Sequence, residues 1–301
     1  LFSPTELRLQ LYLDDPLWVT VGPRARRLRN TALILWVLLA LGVRISWKKG
    51  AMGTHVEWIG VLFELRWAEQ CVVISVRDKM VEEVVSELDD LMGRAMMGLR
   101  RLKAVTGRLS WIAGVLTRAR WAVNILYAVV ASAERDAADG TEEVRRRHRA
   151  DDRGKAHLVA AKRCALAMTW LSALLRGSVR GLRREVPLRA PRQPWAIVAD
   201  ASPWGLGAIL VDQVSGQILE FVCSEVTASD AQMLGITPGD CSAQATLEAL
   251  SILVAFRCFA VMQRFQGAAL SLRVKSDNVA ALAVVERMAS TAPALNFIGG
   301  E

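Results

Sequence analysis

The chain has 301 residues, enough for about two domains of ordinary size, and 52% of them are hydrophobic, which excludes a disordered polymer. Five scattered cysteines (Cys71, Cys164, Cys223, Cys241, Cys258) form no CxxC pair, and three histidines (His55, His148, His157) have no metal-ligand spacing. A zinc module and a disulfide framework are thereby excluded, and a reduced, intracellular compartment, cytoplasmic or nuclear, is expected. Net charge is +8, and residues 141–192 hold the whole excess, with fourteen Lys/Arg against five Asp/Glu. A basic stripe of this kind is the footprint of a polyanion partner.

In chain order, residues 1–22 read as a strand hairpin. Two apolar segments, Leu7-Arg8-Leu9-Gln10-Leu11 and Leu17-Trp18-Val19-Thr20-Val21, flank Tyr12-Leu13-Asp14-Asp15. Adjacent carboxylates repel unless water or a cation neutralises them, and carboxylate oxygens at a turn are ordinary magnesium ligands. Taken alone, the pair also reads as a solvated turn.

Residues 24–42 predict a helix. Its apolar part, Thr31 to Val43, would span roughly 20 Å, short of the ~30 Å a bilayer core requires, so it reads as a buried helix and not a membrane span. Residues 43–47 and 56–65 read as short strands. From Arg77 to about Ala104, apolar residues recur at three and four and predict a helix that Gly107 ends. A second helix follows, with Leu109, Ile112, Leu116, Val123 and Leu126 on one face. The Met residues of this stretch read as core filling.

A helix is predicted over residues 155–175 within the basic segment. Pro187, Pro191 and Pro194 then mark a boundary. Beyond it the texture becomes α/β: strands at 196–200, 205–211 and 218–223, a helix at 243–263, a strand at 269–275 and a helix at 279–288. Gly205 and Gly207 are not a dinucleotide fingerprint, because no third Gly follows and the next segment is a strand.

Three acids occupy telling places in this last region. Asp200 ends a strand, Glu248 lies inside an apolar helix (Leu247-Glu248-Ala249-Leu250) and Asp277 ends a later strand. A buried acid is costly unless paired or metal-bound. Carboxylates gathered from two strand ends and a helix could form a magnesium cage, and two cations about 4 Å apart clamp both oxygens of a phosphodiester displacement. Three unrelated surface acids remain the other reading of the residues alone.

The ordered motifs resemble those of a known family. Ile197-Val198-Ala199-Asp200-Ala201-Ser202 with Gly205-Leu206-Gly207, Thr246-Leu247-Glu248-Ala249-Leu250, and Lys275-Ser276-Asp277-Asn278 are similar to the ribonuclease H motifs of retroelements. Tyr12-Leu13-Asp14-Asp15 resembles the reverse-transcriptase polymerase motif, Leu41-Gly42 through Trp47-Lys48-Lys49-Gly50 the later palm motif, and Val56-Glu57-Trp58-Ile59-Gly60-Val61 the primer-grip hairpin. Residues 102–127 resemble the thumb of DIRS-like or Gypsy-like retrotransposon enzymes.

The resemblance implies an α+β and α/β chain: the end of a palm (1–70), a helical thumb (71–140), a basic helical connection (141–194) and a ribonuclease H-like domain (195–301). It implies Mg2+ or Mn2+ held by Asp14 and Asp15 for nucleotidyl transfer, and by Asp200, Glu248 and Asp277 for hydrolysing the RNA of an RNA–DNA hybrid. The implied partners are that hybrid and a DNA or RNA template-primer, with no membrane. An RNA strand is told apart by its 2′-hydroxyls.

The chain opens on Leu1 rather than Met and is expected to be a piece of something longer. The family's earlier palm Asp would precede Leu1, and its fourth ribonuclease H acid would follow Glu301. Two other readings stand beside this one: a degenerate relic that at most binds nucleic acid, and a non-enzymatic helical adaptor, which explains the charge but not the order of the motifs.

Overall fold

The computed structural model describes residues 7–12, 15–138, 158–177, 182–188, 194–262 and 272–301. Asp14, and residues 141–157 of the basic segment, lie outside them. The architecture is mixed α+β, as the sequence predicts.

The chain begins with an antiparallel hairpin, β1 (Leu7–Tyr12) and β2 (Asp15–Thr20), with Tyr12 opposite Asp15. Helix α1 (Arg24–Ala40) follows and packs on β2. Only Asn30 and Ile34 of this helix are buried, and Trp36 is 67% exposed. This corrects the expectation of a buried helix. A two-stranded hairpin offers one narrow face, too small to cover an apolar stretch that runs all round.

Residues 43–47 form no strand, and Trp47–Lys49 is a short 3-10 turn. The stretch read as one strand over 56–65 is two, β3 (His55–Trp58) and β4 (Val61–Arg66). Ile59 and Gly60 turn between them at φ of 45° and 79°, the double left-handed geometry of a tight hairpin. Strand β5 (Cys71–Val76) extends the sheet and carries its buried side chains, Cys71, Val73 and Val76.

Helix α2 (Asp78–Met92) ends at Gly93, and the three-residue strand β6 (Met96–Gly98) precedes α3 (Leu99–Val115). Gly107 lies inside α3 and does not break it. The buried stripe Leu102, Val105, Leu109, Ile112 runs through it without interruption. A Gly in a helix interior costs about 1 kcal/mol, while each buried Leu or Ile contributes roughly 1.5–3 kcal/mol, so packing wins. Helix α4 (Arg120–Ala138) follows a short turn. Strand β7 (Leu158–Ala160) pairs with β6, which corrects the start of the helix predicted over 155–175; the helix itself is α5 (Ala165–Leu175). Helices α2 to α5 share one core, with Leu88, Leu91, Leu126, Met168 and Leu171 fully buried and the Trp121 and Trp170 rings edge to face at 5.1 Å.

The chain then returns to the earlier sheet. Strand β8 (Arg183–Pro187) pairs with β5 and completes the antiparallel order β3-β4-β5-β8.

The last unit is a four-stranded sheet in the order β11-β10-β9-β12. Strands β9 (Trp195–Ser202), β10 (Gly205–Asp212) and β11 (Ile218–Glu225) form an antiparallel meander. Helices α6 (Ala228–Leu234) and α7 (Gln244–Ala260) follow, and β12 (Arg273–Lys275) returns parallel to β9. Helices α8 (Val279–Arg287) and α9 (Pro293–Gly300) complete it. The stretch Cys241–Ala260 is long and apolar enough to cross a membrane. Here its apolar residues serve the sheet: Leu247, Ile252, Ala255 and Phe259 of α7 are buried in the domain core.

This unit is docked to the helical one. Asn296 of α9, buried, donates from Nδ2 to the Trp121 carbonyl at 2.8 Å and accepts from the Ser290 amide at 3.1 Å. Arg120 donates to the Arg287 carbonyl at 3.1 Å and to the Ala113 carbonyl at 3.2 Å, bridging two helix C-termini. Gly300 lies on the Trp121 ring so closely that a Cβ there would sit 2.6 Å from Cγ.

Candidate functional site

Strand register decides where the acids meet. Lys275 pairs with Val198 across the parallel β9–β12 ladder. Asp200 and Asp277 each come two residues later, so both stand at the same end of neighbouring strands, about 4.8 Å apart in strand spacing. Helix α7 crosses this end and brings in Glu248 from its second turn. Ser251, one turn further along, ties the helix to the sheet: its hydroxyl lies 3.0 Å from the Asp200 carbonyl and 2.8 Å from the Gly207 carbonyl.

The three carboxylates converge. Asp200, Glu248 and Asp277 each offer an oxygen within 4.8 Å of the others. Asp200 and Asp277 are exposed, whereas Glu248 is 1% exposed. One Glu248 oxygen accepts from Gln244 Nε2 at 3.0 Å and from the Ala201 amide at 3.3 Å, and the other accepts from the Ser276 hydroxyl at 3.2 Å. Burial pushes the Glu248 carboxyl above the usual carboxylate range. The Gln244, Ala201 and Ser276 hydrogen bonds pull against that, and the Asp200 charge adds to it. Gln244 also donates to the Ala201 carbonyl, so one amide side chain holds both β9 and Glu248. The Ser276 hydroxyl accepts from the Asn278 amide at 3.1 Å, and Asn278 caps α8 by accepting from the Ala280 and Ala281 amides.

The donor set suits a hard divalent cation. Three carboxylate oxygens on one small volume repel one another, and one belongs to a buried acid whose charge has no cationic side chain against it among its hydrogen-bond partners. Oxygen-only sites with several carboxylates select Mg2+, Ca2+ or Mn2+ over softer metals.

Asp15 does not join such a group among the described residues. It is exposed, and its backbone carbonyl accepts from Trp58 Nε1 at 3.0 Å. That bond seats the β3–β4 hairpin against the tip of β1–β2. Reading the sequence missed Gln244, Ser251 and Ser276. The signals were present: Gln244 lies four residues before Glu248 on one helix face, Ser251 three after it, and Ser276 directly precedes Asp277.

No protein-family model and no curated protein matches this chain. Among solved structures, it is similar to the foamy viral protease-reverse transcriptase. The dRH form in complex with ds DNA is 12% identical, over 92% of this chain and 44% of that one, with a TM-score of 0.40. The complex with RNA/DNA hybrid is 12% identical over 96% and 33%, with a TM-score of 0.41. The complex with dsDNA is 11% identical over 94% and 53%, with a TM-score of 0.39. This chain thus spans about half or less of the length of those chains. At that level the likeness carries no inference about activity.

Proposed function

We propose that the unit from Trp195 onward is a ribonuclease H-type nuclease domain that hydrolyses the RNA strand of RNA–DNA hybrids, and that the chain belongs to a retroelement reverse transcriptase. The observation that carries this reading is the meeting of Asp200, Glu248 and Asp277 within 4.8 Å, from three elements far apart in sequence. The order of the sequence motifs supports it independently.

In this reading Asp200, Glu248 and Asp277 hold Mg2+ or Mn2+. When bound, the cations supply charge neutralisation for phosphodiester hydrolysis. The chain's own residues do the positioning. Gln244, Ser276 and the Ala201 amide fix the Glu248 carboxylate, and Ser251 locks α7 against β9 and β10. Asp200 and Asp277, exposed at the strand ends, face an incoming strand. Asp14 and Asp15 at the first hairpin would serve nucleotidyl transfer in the parent enzyme, with template-primer as their partner.

The test is a labelled RNA–DNA hybrid incubated with Mg2+ or Mn2+. The expected result is cleavage of the RNA strand only, lost in Asp200→Asn. Cleavage that survives Asp200→Asn overturns the assignment. A chain that binds hybrid but shows neither cleavage nor Mn2+ binding at this site supports the relic reading.

A further inference from the structure

The face of the last sheet that points away from α7 carries a channel beside the acidic cluster. Two rows cross it. In the first, Asp200 of β9 pairs with Gly207 of β10, which pairs with Cys223 of β11; in the second, Ser202 pairs with Gly205, which pairs with Glu225. Directly opposed residues of antiparallel strands project to the same side. Ala199 and Ala208, at the alternate positions, are buried in the core, so both rows lie on the outer face. The middle strand contributes only glycine to these rows. What remains is a cavity of about 510 Å3 lined by Asp200, Ser202, Gly205, Gly207, Cys223 and Glu225. Its walls stand two strand spacings apart, roughly 10 Å.

Its chemistry is one-sided. The near wall is Asp200, the metal ligand of the reading above, and the Ser202 hydroxyl, which accepts from the Gly205 amide at 3.1 Å. The far wall is a thiol and a carboxylate, both exposed. A strand running along this channel would have its phosphates repelled by Glu225 and drawn toward cations at Asp200. A carboxylate is met favourably by a hydrogen-bond donor, and along a sugar–phosphate backbone the donor is the ribose 2′-hydroxyl. A 2′-hydroxyl donates there and a deoxyribose cannot.

We propose that the glycine-floored channel seats the strand to be cut, and that Glu225 on its far wall reads the ribose 2′-hydroxyl and so selects RNA. This rests on the nuclease reading above. Cys223, on the same wall, makes the channel directly observable.

The experiment is site-resolved alkylation with iodoacetamide, read by mass spectrometry, with Ca2+ present and either a saturating RNA–DNA hybrid or the all-DNA duplex of the same sequence. Cys258, also exposed, is the internal reference. The expected result is hybrid slowing Cys223 alkylation about 10-fold or more with Cys258 unchanged, and a weaker effect of the DNA duplex; a 10-fold effect corresponds to about 1.4 kcal/mol. Glu225→Ala should erase the preference for hybrid. Gly207→Val should weaken hybrid binding while the fold persists, since a Cβ at Gly207 meets nothing nearer than the Asp200 carbonyl oxygen at 3.9 Å.

Equal Cys223 rates with and without saturating hybrid overturn the channel as the seat of the strand. Equal protection by hybrid and DNA duplex, unchanged in Glu225→Ala, overturns the ribose-reading role. The nuclease reading fails separately: protection of Cys223 without Asp200-dependent cleavage refutes the chemistry and keeps the seat, whereas cleavage without protection does the reverse.

Discussion

The two sets of acids in this chain differ in how they come together. Asp14 and Asp15 are neighbours in sequence; Asp15, the one the structure describes, is exposed at the start of β2 and belongs to no group of three or more metal-ligating side chains among the described residues. Asp200, Glu248 and Asp277 are far apart in sequence and meet because a parallel strand pair and a crossing helix leave them no other place. Adjacency in sequence brings two like charges together at a turn where water can neutralise them, and it constrains the fold little. Convergence through a fold burdens the structure with like charges, and the structure keeps them. The sharper functional signal is therefore the second set.

The largest effect that would test this contrast is on activity. Asp277→Asn should lower hybrid cleavage by about 100-fold or more, a loss of roughly 2.7 kcal/mol of transition-state stabilisation. Asp15→Asn, measured in the same assay, should leave cleavage within about twofold of the unaltered chain. Equal losses from the two substitutions would erase the distinction between the regions.

Next in size is an effect on stability at the junction between the helical unit and the last domain. Asn296→Ala removes the partner of the Trp121 carbonyl and of the Ser290 amide in a buried place. Unpaired buried polar groups cost about 1–3 kcal/mol each. Thermal unfolding should shift down by several degrees, at about 2–4 °C per kcal/mol for chains of this size class. The acidic cluster is built from β9, α7 and the end of β12, not from α9, so metal binding should persist below the new transition. Loss of Mn2+ affinity together with stability would mean that the site depends on the docking.

How much of this was legible in sequence follows the same contrast. The strands carrying Asp200 and the helix carrying Glu248 were readable because turn residues and apolar runs bound them cleanly. What could not be read was local pattern overridden by partners elsewhere. Gly107 looks like a helix stop, yet the packed stripe on both sides carries α3 through it. Strands β5 and β8 pair with each other across more than a hundred residues, and nothing in Arg183–Pro187 alone announces that. The apolar stretch of α1 reads as core and is exposed, because the hairpin beneath it is too narrow. The hydrogen bonds that hold Glu248 come from Gln244, Ser276 and the Ala201 amide; the spacing of the two side chains is visible in sequence, but it marks them only once the acids are known to meet.

A smaller effect tests the strain held at the acidic cluster. Burial raises the Glu248 carboxyl, so the folded state holds that proton more tightly than the unfolded chain does. Below the unfolded value both states are protonated and no penalty exists. As pH rises from the unfolded value through the folded one, the folded state loses stability relative to a neutral side chain, and the loss persists above that window. Glu248→Gln should therefore raise the metal-free melting temperature at neutral pH by about 2 °C or more and flatten its decline with rising pH. Added Mg2+ should stabilise the unaltered chain and not the variant, since a cation offsets the buried charge only where the charge remains. A metal-free Glu248→Gln chain less stable than the original would mean that the hydrogen bonds from Gln244, Ala201 and Ser276 outweigh burial, and that the site is settled without a cation.

The smallest effect belongs to the first region. Trp36 projects from α1 with 67% of its surface exposed, and Leu41, just past the end of the helix, is 74% exposed. Side chains with so little to lose on folding contribute little to stability, and surface substitutions usually fall within about 0.5 kcal/mol. Trp36→Gln should leave the melting temperature nearly unchanged, yet it should lower self-association at high concentration in light scattering, because exposed apolar patches drive non-specific contact. A large drop in melting temperature would show Trp36 to be packed in solution. The hairpin and its helix would then be as firmly built as the sheet that carries Asp200, and the contrast between the two regions would rest on the acids alone.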